Sequence, residues 1–141
     1  SNALIAYDGT VKIGDFGCCS PTNDNMGEPV VGTVAYQAPE VLVKGCGTYA
    51  SDIFSLGVTI WHLVVGKFPY FGIHPHIVLY QVTRLNQRPN SLQCSSQRPT
   101  SLLEDLLLRI AERCWATDPK ARPTSPALCR SLAALYLSPA M

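Results

Sequence analysis

Charge is what this sequence is short of. Only 15% of its 141 residues are Asp, Glu, Lys or Arg, 47% are hydrophobic, and the formal net charge is +1. An average soluble chain carries about 25% charged residues, so this one is expected to bury much of itself. No basic cluster is present, which argues against nucleic acid and an acidic membrane surface as partners. Long apolar runs are missing too: the longest, residues 56–65, is interrupted by His62 and is too short to span a bilayer. No signal peptide is visible. The 6 cysteines include no Cys-x-x-Cys pair, and His62, His74 and His76 do not stand at zinc-ligand spacing from them. An even count is also what disulfides in a secreted protein would give, but with nothing else pointing to secretion they read as free thiols of a reducing compartment. Internal repeats and low-complexity segments are absent.

What is there suffices for one mainly α domain. Two short apolar runs, Leu4-Ile5-Ala6 and Val11-Lys12-Ile13, flank Tyr7-Asp8-Gly9-Thr10. Asp-Gly is a tight-turn signal because glycine accepts positive φ cheaply. A hairpin over 3–14 is therefore expected, with Asp15 at its end. Residues 18–31 are polar and turn-rich and read as a loop. Residues 49–65 read as a helix apolar nearly all round, hence deeply buried, closed by Gly66. Asp52 in its first turn suits the positive end of the helix dipole, and His62 reads as a packed core residue. A further helix is expected over 73–85, then a surface loop over 86–100. Ser101-Leu102-Leu103-Glu104 has the form of a capping box. Leu102, Leu103, Leu106, Leu107, Ile110 and Cys114 fall on one helical face. The last helix starts at Thr124-Ser125-Pro126, with Leu128, Leu132, Leu135 and Tyr136 as its buried stripe. Cys114 and Cys129 read as small core residues.

Three motifs carry chemistry only when taken together. Asp15-Phe16-Gly17 opens a segment that Ala38-Pro39-Glu40 closes, with Gly32-Thr33-Val34-Ala35-Tyr36-Gln37 directly ahead of the close. Each triplet alone recurs by chance; their order and spacing do not. Residues 15–40 resemble the activation segment of a protein kinase. The resemblance implies the large lobe of the kinase fold: a hairpin (3–14), the activation segment (15–40) and a helical subdomain (41–137), with the small lobe and the catalytic loop lacking from these 141 residues. It implies ATP and magnesium as cofactors. Asp15 would be a metal ligand, since magnesium is a hard cation that favours carboxylate oxygen and keeps several waters. Asn2, in Asn2-Ala3-Leu4-Ile5, matches the catalytic-loop Asn that holds a second magnesium. Ser1-Asn2-Ala3 also reads as the remnant of a cleaved tag, in which case that match is chance. Leu4 would lie under the adenine ring. Phe16 would pack inward and set active or inactive geometry, with Gly17 supplying flexibility.

The same resemblance assigns the remaining positions. Gly32-Thr33 is similar to the serine/threonine form, with the Thr33 hydroxyl directed at catalytic-loop groups. Tyr36 would pack below the substrate shelf. Ser20 and Thr22 are candidate phosphorylation sites, or unmodified loop hydroxyls. Glu40 would form a buried ion pair with Arg122 of Asp118-Pro119-Lys120-Ala121-Arg122-Pro123, and Asp52 would bond the catalytic-loop backbone. Cys18, His76-Ile77-Val78-Leu79-Tyr80, Gln87-Arg88-Pro89 and Arg113-Cys114-Trp115 resemble the Mos kinases. That implies a cytoplasmic serine/threonine kinase of meiotic signalling whose protein substrate is a MAP kinase kinase; the charge pattern, as above, points to no nucleic-acid or membrane partner. The 141 residues hold no Gly-rich phosphate loop, no Lys/Glu pair of the small lobe and no His-Arg-Asp base. By themselves they are expected to be inactive and to expose an apolar patch beside the 49–65 helix. A pseudokinase or scaffold lobe that binds signalling partners is the alternative, and the intact Asp15 and Gly17 favour the enzyme.

Overall fold

The computed structural model describes residues 2–19, 32–89 and 101–137. It opens on the expected hairpin. Strand β1 (Ala3–Ile5) pairs antiparallel with β2 (Val11–Ile13), Ala3 opposite Ile13 and Ile5 opposite Val11. In the turn, the Gly9 N–H donates to the Ala6 carbonyl and the Thr10 N–H to Asp8 Oδ1, each at 2.9 Å. Gly9 has φ 81°, which any side chain would oppose. Every residue of both strands is exposed.

The rest of the described chain is helical: α1 (Pro39–Lys44), α2 (Tyr49–Val65), α3 (Pro75–Thr83), α4 (Leu102–Cys114) and α5 (Ser125–Leu137). Short 3₁₀ turns lie at Val34–Tyr36 and Pro119–Ala121. Helix α2 is the centre. A capping box starts it: Thr48 Oγ1 accepts from the Ser51 N–H at 3.2 Å, and Ser51 Oγ from the Thr48 N–H at 2.8 Å. Ser55 and Thr59 donate their hydroxyls to the carbonyls four residues back, so these polar groups are satisfied within the helix. Gly66, at φ 70°, ends it by donating to the His62 carbonyl at 2.9 Å. No helix among the described residues is long and apolar enough to cross a membrane.

Helix α2 crosses α4 at Gly57. A Cβ on Gly57 would lie 2.6 Å from the Cys114 Cβ and 3.0 Å from the Ala111 carbonyl oxygen. Only glycine permits that approach. Around the crossing Phe54, Val58 and Trp61 of α2 meet Val78 and Val82 of α3, Ala111, and Trp115 just past α4. A smaller cluster joins Ile53, Cys114 and Leu128.

Several sequence expectations change here. Helix α2 is not buried all round: Leu56 and Leu63 are exposed on one side, where the apolar patch was anticipated. Leu102 and Leu103 are exposed because α4 meets α2 through its opposite end, at Ala111 and Cys114. Cys129 is exposed, since the inward direction belongs to Leu128, about 100° away around the helix. Tyr136 is exposed as well: packing of α5 against the small cluster runs through Leu128 and Leu132, and Tyr136 lies in the helix's final turn. Residues 86–100 are not surface throughout, as Arg88 and Pro89 are buried. Residues 90–100 lie outside the described part.

Candidate functional site

The hairpin ladder extends past its strands. The Gly14 N–H donates to the Asn2 carbonyl at 2.9 Å, so Asn2 and Asp15 emerge beside each other at the hairpin's open end. Asp15 sits at φ 61°, in the left-handed region. Asp tolerates that region better than most side chains because its short carboxylate can bond locally. Here Asp15 Oδ1 accepts from the Gly17 N–H at 3.4 Å. A Cβ on Gly17 would come 3.3 Å from the same oxygen, so a side chain at position 17 would crowd the carboxylate.

Asn2 and Asp15 are both exposed. A carboxylate and an amide oxygen carried at the same end of the hairpin are the donor types that suit a hard cation drawing its remaining ligands from water and phosphate. A cluster of three or more His, Cys, Asp or Glu is not found among the described residues. ATP-bound magnesium is thus compatible with the groups present, and Asn2 and Asp15 would be its protein ligands. Leu4 is 57% exposed, its side chain against Gly14. Phe16 is 67% exposed rather than packed inward: the described residues put no apolar wall against it.

Ser20 and Thr22 lie outside the described residues. The segment resumes at Gly32, with φ 119°. Thr33 is exposed at the start of the 3₁₀ turn and its hydroxyl caps nothing there. Tyr36 is half-buried, and its hydroxyl lies 2.8 Å from His62 Nδ1 on α2. His62 is therefore a half-buried hydrogen-bonding residue, not a packed core one, and its ring lies 4.8 Å from that of Phe68. Burial pushes the Tyr36 phenol above its ordinary pKa.

Helix α1 starts at Pro39, where proline's missing N–H costs no helical bond. That places Glu40 in the first turn, facing Arg122. The guanidinium is fully buried and donates to both Glu40 oxygens, at 2.6 and 2.9 Å. It donates also to the carbonyls of Ala50 and Ala116, each at 2.9 Å. Asp118 sets this up: its Oδ1 accepts from the Lys120 N–H at 2.9 Å and caps the 3₁₀ turn that leads into Arg122. One bidentate pair thus ties α1, the start of α2 and the 116–122 segment together. Asp52 is exposed on the first turn of α2, where desolvation holds its carboxyl above the ordinary value.

Sequence reasoning used Arg88 only as part of a Mos-like stretch and gave it no role in the fold. It donates to the Trp115 carbonyl at 3.0 Å, the Gln87 carbonyl at 2.9 Å and Asn86 Oδ1 at 2.8 Å. Its guanidinium lies 5.2 Å from the Phe54 ring, and that of Arg122 lies 5.1 Å from the same ring. Burial pushes Arg88 below its ordinary pKa; the nearby Tyr70 opposes this, Arg122 adds to it and Glu40 opposes it. One sequence signal was available, since Arg88-Pro89 repeats Arg122-Pro123. It is weak, because Arg98-Pro99 repeats it too.

Comparison with known proteins bears on this arrangement. The protein kinase domain family matches residues 1–132. The chain is 34% identical over 139 residues, 95% of its length, to the serine/threonine-protein kinase-transforming protein mos of Moloney murine sarcoma virus, and spans 36% of that relative. It is likewise 34% identical over 139 residues to the proto-oncogene serine/threonine-protein kinase mos of Mus musculus, spanning 40% of it. To the cytokinesis protein sepH of Aspergillus niger it is 33% identical over 130 residues, 92% of the chain and 9% of that relative. Within the matched span lie the hairpin, the residues Asp15 to Glu40 and the Glu40–Arg122 pair. The chain belongs to the protein kinase domain family.

Proposed function

We propose that the protein carrying this chain is a serine/threonine protein kinase of the Mos type, cytoplasmic, which transfers the γ-phosphate of ATP to a MAP kinase kinase in meiotic signalling. This chain is the part of its large lobe that holds a metal ligand and the activation segment. The observation that carries the reading is the placement of Asp15. A hydrogen-bonded hairpin ends at an exposed carboxylate, Asn2 stands beside it, and a glycine two residues on leaves the carboxylate uncrowded. Phosphoryl transfer depends on positioning and charge neutralisation. In that chemistry magnesium bound at Asp15 and Asn2 would neutralise the phosphates.

The names of the Mos relatives support the serine/threonine assignment; the choice of substrate rests on the resemblance to the Mos kinases alone. The Glu40–Arg122 pair supports a structural part: it anchors the closing end of the activation segment to the helices, so that Thr33 and Tyr36 are presented from a fixed base.

The test is phosphate transfer by the protein expressed at the full length of its reading frame, with an inactive MAP kinase kinase as acceptor. Magnesium-dependent labelling on serine or threonine is expected, reduced at least a hundredfold by Asp15→Asn. Without a phosphate loop or a His-Arg-Asp base, the 141 residues alone are expected to transfer nothing. Acceptor binding without transfer would favour the scaffold reading. Transfer indifferent to Asp15→Asn would remove the metal assignment.

A further inference from the structure

The cysteines differ in what their surroundings allow. Cys114 is buried where α4 meets Gly57, and burial pushes its thiol up to about 11, so it stays protonated and inert. Cys46 is half-buried and its thiol donates to the Lys44 carbonyl at 3.6 Å. Cys129 is exposed on α5, with no cysteine next to it in the sequence. Cys18 and Cys19 are both exposed, and of the 6 cysteines they are the only two that are adjacent in the sequence. A peroxide attacks accessible thiols, and an exposed thiol with a second one at hand is the form a redox-responsive pair takes.

Their place gives the pair something to act on. The Cys19 N–H donates to the Phe16 carbonyl at 3.0 Å and closes a turn over 16–19. Inside that turn the Gly17 N–H donates to Asp15 Oδ1 at 3.4 Å. The turn therefore supports the carboxylate that the hairpin delivers. Neighbouring Cα atoms across a trans peptide are about 3.8 Å apart, whereas an ordinary disulfide joins Cα atoms about 4.4–6.8 Å apart. A bridge between Cys18 and Cys19 closes a small ring that contains their shared peptide bond, and that peptide must twist. The Cys19 N–H belongs to it, so its bond to Phe16 is lost and the turn opens. The same strain makes the bridge easy to reduce.

We infer that Cys18 and Cys19 are a reversible modification site, oxidised by hydrogen peroxide to a disulfide between the two neighbours and reduced again by glutathione. One thiol sulfur attacks a peroxide oxygen, the O–O bond breaks, and a sulfenic acid and a water result. The second thiol attacks the sulfenic sulfur, and another water leaves as the S–S bond forms. The two thiols lose two electrons and two protons, and the peroxide is reduced to water. One glutathione thiolate then opens the bridge to a mixed disulfide, and a second releases the dithiol and leaves as glutathione disulfide. With the turn open, Asp15 loses the support of the Gly17 N–H and holds magnesium–ATP less well, a consequence that rests on the kinase reading above.

The test treats the full-length protein with hydrogen peroxide, alkylates the remaining thiols and follows a trypsin digest by mass spectrometry. Cleavage after Lys12 and Lys44 leaves a peptide, residues 13–44, whose only cysteines are Cys18 and Cys19. After peroxide this peptide is expected unlabelled and short of two hydrogens; after glutathione it is expected doubly labelled. Magnesium–ATP affinity, measured by titration calorimetry, is expected to fall about tenfold or more on oxidation, the size usual for disturbing the support of a metal ligand, and to return with glutathione. Cys18→Ser and Cys19→Ser should each bind magnesium–ATP as the reduced protein does and keep that affinity after peroxide. Both side chains are exposed, so these variants are expected to fold, and a melting curve checks it. Thiols that stay open to alkylation, an oxygen or glutathione adduct in place of the bridge, a bridge to another cysteine, or an affinity unmoved by the bridge overturns the inference. A reduced protein that binds no magnesium–ATP defeats the kinase reading, while the mass of peptide 13–44 still decides the bridge.

Discussion

The hairpin that carries Asp15 and the helical block around α2 contain motif residues of equal clarity, yet they are built in opposite ways. In the helical block the motif residues complete each other. Glu40 lies against a fully buried Arg122, and Gly57 lets Cys114 and Ala111 close on α2. In the hairpin, backbone bonds fix the shape while Asn2, Leu4, Asp15 and Phe16 all face outward. Residues that scaffold a fold find their partners within it. Residues that act on a ligand are left with unspent bonding capacity, as function requires. The expected cost of a substitution therefore differs sharply between the two regions.

The largest effect is expected from Arg122→Ala. It leaves the half-buried Glu40 carboxylate without its counter-ion, and removal of one partner of such a pair costs about 3–5 kcal/mol. Urea denaturation of the protein measures it. A loss below about 1 kcal/mol would put this pair in the class of surface ion pairs and erase the contrast.

Next comes Gly57→Ala, expected to cost about 1–3 kcal/mol through overpacking at the crossing of α2 and α4. Its companion sharpens the test. The close contact is with the Cys114 Cβ, so Cys114→Ala should give no rescue and Cys114→Gly should give part of it. Full rescue by Cys114→Ala would show that the sulfur, not the backbone approach, sets the spacing.

The smallest effect belongs to the hairpin. Asp15→Gly relieves a left-handed residue but frees the unfolded chain, two terms of opposite sign and each of about 1 kcal/mol. The melting temperature should stay within about 2 °C, as expected for a net change under about 0.5 kcal/mol. A larger fall would mean that the Asp15 carboxylate holds structure as well as ligand.

How much was legible in advance follows the same division. The hairpin could be read because its turn is local: Asp8-Gly9 suffices to reverse the chain. The end of α2 at Gly66 was legible for the same reason, whereas α1 was not foreseen and its start at Pro39 came from the structure. Glu40 and Arg122 are 82 residues apart, so no local rule joins them, and only resemblance to a family paired them. Burial was the least legible property. Leu102, Leu103, Cys129 and Tyr136 all satisfy a helical stripe, but a stripe says which residues could face inward and not where the neighbouring helix ends.

By itself, the sequence determined the hairpin, the longer helices with their caps and turns, and the motifs that bound the segment from Asp15 to Glu40, because those depend on backbone preferences and on residues within a few positions. Which apolar faces are covered was settled only in three dimensions. So were the placement of Arg88 and Arg122 by the ring of Phe54, and the bond between Tyr36 and His62. These depend on how closely whole helices approach, and at the centre of this protein that distance is set by the missing side chain of Gly57.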